Sequence, residues 1–465
     1  MDDIKGAISK LENMIMDLMI QSNIPGFSIG IIMNGQPIYT RGFGQRSLEK
    51  KLPMTDDTIF GIGSVSKSFT ALAIMQLVEN GKVKLDDPIN KYFEVDISDK
   101  KNPITVRHML SHSSGVPDLG AVIGSLVRLD KNRPPILPIG STKDIVTYFN
   151  KFKDLIKFKP NEMFFYNNDM YYLTGAIVEK ISGIPFAEYV KKNIFEPIGM
   201  KRTSYLKEDL DKDPKNDVMT GYIFDSDLKA LKPTPFPHDK LVDPPGGILS
   251  SVNEMLLYAS MMLNKGKIGD TTIISDKSID TLWTPIIHTP YGKGDNPQYC
   301  LGWMREDDFF GETLIHHGGN VGVSSAFLAL IPSKNIGVIV GGNLDNSVGP
   351  QISRAVLAGL LGKTPEEAVP LITALEKIKP ILGNYATFGG GVKVKLSLEG
   401  FILTAKLDSY GREQTFPLQV IDLDELTFRI PMIDPSVSSL TVRVYINKEK
   451  NEIYATVDRM VLFKQ

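Results

Sequence analysis

Apolar and polar positions along the chain change period twice. The first twenty residues, "MDDIKGAISKLENMIMDLMI", space their apolar side chains helically between acids and lysines, which predicts an amphipathic helix. "GFSIGIIMNGQPIYTRGFG" (26–44) then holds two β-rich runs around Asn34-Gly35, a dipeptide that tolerates positive φ and favours a tight hairpin turn. From Ser64 to about residue 265 the period is mostly helical, broken by loops such as "KNRPPILPIG" and "KPTPFPHDKLVDPPGG". Strand-like runs return at "SSAFLALI" and "NIGVIVGGN". Strands drawn from both ends of a segment, with helices inserted between them, predict an α/β domain with a helical insert.

Near residue 370 the pattern changes again. "TPEEAVPLITALEKI" predicts a connecting helix that Pro380 ends. Beyond it the period is two: Val392, Val394, Leu396 and Leu398 alternate with polar residues, as do Leu440, Val442, Val444 and Ile446. Several such strands with short Gly/Asn turns predict a small antiparallel barrel. The expected organisation is a first domain over 1–365 with its helical insert at about 68–265, a linker helix over 366–380, and a barrel over 381–465.

Composition narrows the function classes. An apolar content of 42% with 23% charged residues is that of a globular chain, and 465 residues suggest two or three domains. A formal net charge of −2 gives no electrostatic reason to expect nucleic acid as a partner. The single cysteine, Cys300, excludes an internal disulfide and a cysteine-rich metal site. Six scattered histidines offer no zinc-ligand spacing, so no cofactor is expected. The first residues place acids where a secretory signal needs positive charge, and no uncharged apolar run approaches the ~18 residues of a membrane span. These features point to a cytoplasmic protein without a membrane partner.

The chemistry is concentrated in "GIGSVSKSFTALAIMQLVENGKVKLDD" (61–87). Eight of the ten residues from Phe69 to Val78 are apolar, so the predicted helix is buried on every side. Ser64 and Lys67 stand three apart at its entrance, where they share a helix face. Desolvation there disfavours an ammonium and makes Lys67 a plausible proton acceptor for the Ser64 hydroxyl. Backbone N–H groups at the helix start suit an oxyanion. The plainer alternative is a serine-rich cap followed by a lysine whose head reaches solvent. The S-x-x-K spacing alone has little weight, since it recurs at Ser47–Lys50, Ser98–Lys101 and Ser226–Lys229 in polar stretches that predict solvated loops.

Two further stretches carry candidate groups. "NEMFFYNNDMYYLTGAIVEKISG" places Tyr166, Asn167 and Asn168 in a loop before another apolar helix. The same Y-x-N spacing at Tyr148–Asn150 and Tyr445–Asn447 falls in an amphipathic helix and in the barrel. "LIHHGGNVGVSSAFLALIP" places His316, His317, Gly318 and Gly319 at the head of an apolar strand run. Glycines beside a histidine leave room for a substrate backbone at the strand edge, although a turn with a surface histidine has the same pattern.

Taken in order, Ser64-x-x-Lys67, Tyr166-x-Asn168 and His316-x-Gly318 resemble the three motifs of the penicillin-recognising serine hydrolases. Tyrosine in the second motif resembles class C β-lactamases, D-amino-acid-specific peptidases and related esterases. The stretches "IPGFSIGIIMNG", "ITVRHMLSHSSGVPD", "PPGGILSSVNEM" and "YCLGWM" match the broader pattern, so the likeness covers residues of about 24–345. The barrel after a linker is similar to the CubicO-type, self-compartmentalising archaeal peptidases. The resemblance implies a β-lactamase-like antiparallel sheet flanked by helices, then a lipocalin-like barrel. It also implies a homo-oligomer, an octamer among the forms it allows.

Carried over by position, the resemblance makes Ser64 the nucleophile. Lys67 shares a proton with Tyr166, which acts as base and then as acid toward the leaving group. Asn168 orients Lys67 and the substrate amide. His316 stands where β-lactamases have lysine, and loses the permanent cation that holds a drug carboxylate. The oxyanion hole falls to the N–H groups of Ser64 and Gly319, or of Ser64 and Asn320 if the third motif begins at His317.

Other residues are expected to be structural. His112 in "SHSSG" fixes a loop, His108 packs on a helix or lies on the surface, and His238 and His288 face solvent. Phe164, Phe165, Tyr171 and Tyr172 form core and pocket wall. The resulting expectation is a cofactor-free serine peptidase acting on short peptides, D-residues included, through an acyl-enzyme. A carboxylesterase or weak β-lactamase using the same residues is the alternative, and a non-catalytic assembly or ligand-binding protein is the alternative of another class.

Overall fold

The computed structural model describes residues 2–127, 139–205, 210–213, 215–225, 228–237, 239–291, 297–345, 348–399, 401–409, 411–431, 440–457 and 460–465. They divide into two units, Met1–Leu361 and Gly362–Gln465.

The first unit is built on a nine-stranded antiparallel sheet. Its strands are β1 (Gly26–Met33), β2 (Gln36–Ser47), β3 (Leu52–Pro53), β4 (Ile287–His288), β5 (Gln298–Tyr299), β6 (Met304–Phe309), β7 (Glu312–Asn320), β8 (Ser325–Ile331) and β9 (Ile336–Gly342). Their spatial order is β4-β5-β6-β7-β8-β9-β1-β2-β3. The first and last parts of the unit therefore meet at the centre, where Ser28 pairs with Gly341 and Ile31 with Val338. Asn34 and Gly35 turn β1 into β2 with φ of 52° and 74°, the doubly positive geometry that matches strand twist. The expected antiparallel sheet fed from both ends of a helical insert is what forms.

Five helices matter for the site and its support: α1 (Asp2–Gln21), α2 (Ser66–Glu79), α3 (Asn168–Ser182), α4 (Val252–Leu263) and α5 (Val348–Leu360). Residues of β1 are buried along nearly the whole strand because both faces of the sheet are covered. On one face, a Cβ on Gly30 would strike Val252 and Leu256 of α4. On the other, a Cβ on Gly349 of α5 would touch Phe327 of β8 and Val340 of β9. Helix α2 is buried on all sides, as its continuous apolar run requires, and stacks Phe69 on Tyr258 of α4 with ring centroids 3.8 Å apart. The helical insert also holds a hairpin, Gly221–Asp225 with Ala230–Thr234, that periodicity did not predict. Most of its residues are exposed or half-exposed, so no apolar alternation marks it.

In the second unit, Pro365–Ala368 and Pro370–Ile378 are two helices where one linker was expected. Pro370 has no N–H to continue the first helix, which splits the segment there. Ile378 and Ile381 are buried in the core of this unit. Among the described residues, nine antiparallel strands follow between Gly383 and Lys464. The two edge strands, Arg412–Pro417 and Gln419–Asp422, are separated in the chain by Leu418 alone, so the sheet curls into a nearly closed barrel. Its inward positions are filled by side chains such as Leu396, Leu403, Phe428, Val444 and Leu462.

Candidate active site

The chain enters the site through a 3₁₀ turn, Gly63–Val65, that runs directly into α2. Residues i and i+3 along a helical path share a face, which brings the Lys67 side chain beside Ser64. Gly63 has φ of 52°, and a Cβ there would lie 2.2 Å from the Asn320 backbone nitrogen. Only glycine lets this turn press against β7. Of the serines at the helix mouth, Ser66 accepts from Ile248 N at 3.1 Å and Ser68 donates to Val65 O at 2.7 Å. Both are consumed by structure, and Ser64 is left half-exposed.

Lys67 is wholly buried. Its Nζ lies 3.0 Å from Ser64 Oγ, 2.8 Å from Asn168 Oδ1 and 2.8 Å from the Pro245 carbonyl oxygen. It also sits over the Tyr166 ring, 4.6 Å from the centroid. Burial pushes the ammonium well below its ordinary range, against a smaller opposing pull from the Asp118 carboxylate.

Tyr166 and Asn168 reach this lysine from the start of α3. Asn167 caps that helix by accepting from Met170 N at 2.8 Å. Asp118 accepts from Asn168 N at 2.9 Å and from Asn168 Nδ2 at 3.2 Å, which fixes the amide so that its oxygen faces Lys67. Burial raises the Tyr166 phenol far above its ordinary value, partly offset by a hydrogen bond with Ser64. Behind Tyr166, His112 accepts from Asn167 N at 2.9 Å and holds its ring 4.2 Å from the tyrosine ring. Burial first, then Lys67 and His317, keep the His112 imidazole neutral. His112 therefore braces the loop that carries Tyr166.

Of the two registers open to the third motif, His316 and His317 fall on opposite faces of β7. Successive residues of β7 point to opposite faces. His316 bonds Glu306 Oε1 at 3.1 Å and stacks on Phe327, and Arg354 of α5 reaches the same carboxylate with two contacts of 2.9 Å. Burial raises the Glu306 carboxyl, but His316 and Arg354 outweigh it and bring it down to about 2. Gly318 shares that face, where an added Cβ would touch Phe327. His317 and Gly319 lie on the other face. His317 Nδ1 donates to Gly318 O at 2.6 Å, which leaves Nε2 to accept from Tyr299 OH at 2.9 Å. Its ring is 6.3 Å from that of Tyr166. A Cβ on Gly319 would lie 1.9 Å from Ile62 O and 2.8 Å from Ser64 N. Strand alternation thus sends the His316 side chain into the layer beneath and leaves His317 on the side of Tyr166.

Burial pushes the His317 imidazole down to about 3, with Lys67 adding to it. The wall of the site is aromatic: Phe164 is 5.8 Å and Tyr166 6.3 Å from Tyr291, ring to ring. Tyr171 is buried and donates to Leu110 O at 2.5 Å, while half-buried Tyr172 bonds Thr142. Phe165 meets Phe158, with ring centroids 5.4 Å apart. His108 closes a capping box with Thr105. His288 is exposed, and His238 and Ser226 lie outside the described residues. Ser47 ends β2 and is buried, unlike the solvated loop expected there. Asp118, Pro245 and Tyr299 are the site residues that no motif had marked. They stand in the quoted stretches "HSSGVPD", "PPGG" and "YCLGWM". Among the described residues, no group of three or more His, Cys, Asp or Glu is placed to hold a metal ion, and no helix is long and apolar enough to cross a membrane.

A half-exposed serine beside a buried lysine, set between an antiparallel sheet and a helical layer and facing a Tyr-x-Asn loop, is the arrangement of the penicillin-recognising proteins. The chain belongs to the beta-lactamase family, a family of serine hydrolases, whose sequence model matches residues 11–363. It is similar to an octameric penicillin-binding protein homologue from Pyrococcus abyssi, with a TM-score of 0.88 and 35% identity over 98% of this chain and 100% of that one. A class C beta lactamase from Rhodobacter sphaeroides shares the fold, at a TM-score of 0.60 and 19% identity over 76% of this chain and 99% of that one. Among curated relatives, Protein flp of Staphylococcus aureus (strain MW2) is 25% identical over 352 residues, which is 74% of this chain. Unguisins hydrolase ungD' of Aspergillus campestris is 26% identical over 331 residues, 69% of this chain and 59% of that protein. The chain spans 64% of the length of the Protein flp relatives it matches.

Proposed function

We propose that the protein is a serine peptidase that cleaves short peptides, including those with D-residues, through an acyl-enzyme on Ser64. What carries this reading is the hydrogen-bond arithmetic at Lys67. A neutral amine has two N–H groups and one lone pair. Asn168 Oδ1 and the Pro245 carbonyl can only accept, so they take both N–H groups. The lone pair is then left for the third neighbour, Ser64 Oγ, whose proton it can receive.

In the first step the Ser64 proton passes to Lys67 Nζ as Oγ bonds to the substrate carbonyl carbon. The oxyanion meets the N–H groups of Ser64 and, in the His317 register, Asn320. Tyr166 gives its phenol proton to the leaving nitrogen as the C–N bond breaks, and regains a proton from Lys67. Water then attacks the acyl-enzyme with the roles reversed. The names of two relatives, a penicillin-binding protein homologue and a hydrolase of unguisins, support an acyl-transfer reading. The octameric state of the first supports assembly of this chain into a closed homo-oligomer. A filled barrel interior argues against a ligand-holding role for the second unit.

The test is an activated acyl probe followed by peptide mapping, then a screen of L- and D-peptides, p-nitrophenyl esters and a chromogenic cephalosporin. Acyl mass on Ser64 with turnover of peptides is the expected result. Turnover of esters alone would make the protein a carboxylesterase, and an unlabelled Ser64 would make it non-catalytic.

A further inference from the structure

Buried side chains pack the inside of the second unit's barrel, and its outside carries an aromatic feature. Three consecutive strands, Thr441–Asn447, Glu452–Val457 and Met460–Lys464, pair so that Tyr445 lies opposite Tyr454 and Tyr454 opposite Phe463. The ring centroids are 4.9 Å and 6.3 Å apart, which makes one aromatic rung across the three strands. Val444, Ala455 and Leu462, one residue away on each strand, are buried in the core. By strand alternation the rung faces outward, and Phe463 leaves 44% of its surface exposed. The next rung on the same face pairs Arg443 with Thr456 and Thr456 with Val461, which is 43% exposed. On the opposite side of the aromatic rung, Asn447 pairs with Glu452. Arg443 and Glu452 are both exposed.

An aromatic stripe with a cation beyond one margin and an anion beyond the other is complementary to itself. A two-fold axis lying along the rung reverses the strand direction of the second copy. It stacks rung on rung and, since each strand then lies over the same strand of the second copy, sets Arg443 over Asn447 of the partner subunit and diagonally beside Glu452 of the partner subunit, twice by symmetry. A contact of this kind is isologous, and closed dihedral assemblies are built with such two-fold contacts. A partner bearing one sign of charge would match only one margin of the stripe. The similar Pyrococcus abyssi structure, alike over 98% of this chain, is octameric. We propose that this outer barrel face is a two-fold contact between two copies of the chain, centred on Tyr445, Tyr454 and Phe463 and registered by Arg443 and Glu452. It rests on the assembly reading above and names the surface that reading lacks.

The experiment is sedimentation velocity of the full chain as native protein, as Arg443→Glu, as the double reversal Arg443→Glu/Glu452→Arg, and as Phe463→Glu. Hydrolysis of an activated ester by each variant reports that the first unit is folded, and far-UV circular dichroism reports on the barrel. The native chain is expected to be oligomeric. Arg443→Glu is expected to weaken association about tenfold or more, because each contact then sets like charges against each other at both margins. The double reversal should restore the native mass, and Phe463→Glu should give smaller species that still hydrolyse the ester. A native monomer overturns both this contact and the assembly reading. A native oligomer whose mass survives every substitution overturns this contact alone, as does loss in Arg443→Glu without rescue by the double reversal.

Discussion

His316 and His317 are adjacent in the chain and face opposite sides of one strand. His316 bonds Glu306 at 3.1 Å under the helix that carries Arg354, whereas His317 receives the Tyr299 hydroxyl at 2.9 Å on the side of Ser64. The two imidazoles therefore differ in role as well as in surroundings. One is hydrogen-bonded to a buried carboxylate that Arg354 also reaches, and the other is a neutral polar group on the side of Ser64.

Lysine substitutions separate the two. His317→Lys introduces a longer cationic side chain near Ser64, and should improve binding of substrates that carry a free carboxylate next to the cleaved bond. Neutral substrates should bind less well. His316→Lys instead sets a cation beside Arg354 in the buried layer, and should cost on the order of 1–3 kcal/mol of stability. Michaelis constants for peptide and peptide-amide pairs, with thermal melts, check both. An unchanged carboxylate preference in His317→Lys would remove that residue from the pocket.

The same ion cluster makes an acid-stability prediction. The Glu306 carboxyl is held at about 2 in the folded chain, against ~4.3 when unfolded. Between those values the unfolded chain binds more protons, so stability rises with pH there and is lost as the pH falls. Arg354→Gln should shrink this loss, measured as the difference in urea unfolding free energy between pH 5 and pH 3. A slope equal to that of the native protein would show that Glu306 is not held by this cluster.

Lys67 is tested by charge-preserving substitution. Arginine keeps the cation and cannot give up its proton, so Lys67→Arg should be nearly as damaging as Lys67→Ala. A fluorophosphonate should label native protein once, on Ser64, and Ser64→Ala should lose both label and turnover. Near-normal activity in Lys67→Arg would reduce Lys67 to a fixed charge.

The pH profile follows from two shifts of opposite sign. The proposed mechanism needs Lys67 neutral, and its pKa is lowered, so kcat/KM should rise through an acid limb far below the usual lysine range. It also needs Tyr166 protonated, and that pKa is raised, so the plateau should extend well into alkaline pH. Tyr166→Phe should lower turnover by about 10²–10⁴ while leaving the acid limb in place. A profile that falls near pH 10 would mean that burial does not hold the phenol protonated.

The sequence made some of these features legible and hid others for physical reasons. Asn34-Gly35 announced its hairpin because few dipeptides accept positive φ twice. Ser64 and Lys67 stood out because a charged residue opened an apolar run, and burial of that run is what lowers the lysine pKa. The register at His316 and His317 was ambiguous because both begin an H-x-G, and only the packing of α5 decides which face of β7 lies away from the site. Pro245 acts through its backbone carbonyl, which side-chain spacing cannot mark. Asp118 could have been found as the acid in "HSSGVPD", but its target, the Asn168 amide, lies 50 residues away.

The last prediction separates chemistry from assembly. Among the described residues, the groups that bond Ser64 and Lys67 lie within Met1–Leu361, a unit with its own continuous core. Truncation after Leu361 should therefore leave a folded protein that hydrolyses a small activated ester at close to the native rate. If the second unit builds a closed oligomer, the truncated protein should sediment as a smaller species. It should also lose the native discrimination between peptides and folded proteins, since an active site inside a closed assembly admits only short chains. Analytical ultracentrifugation paired with digestion of a peptide and of folded casein-free substrate proteins checks both parts. A truncated chain that stays folded but no longer cleaves the ester would place part of the catalytic machinery in the barrel.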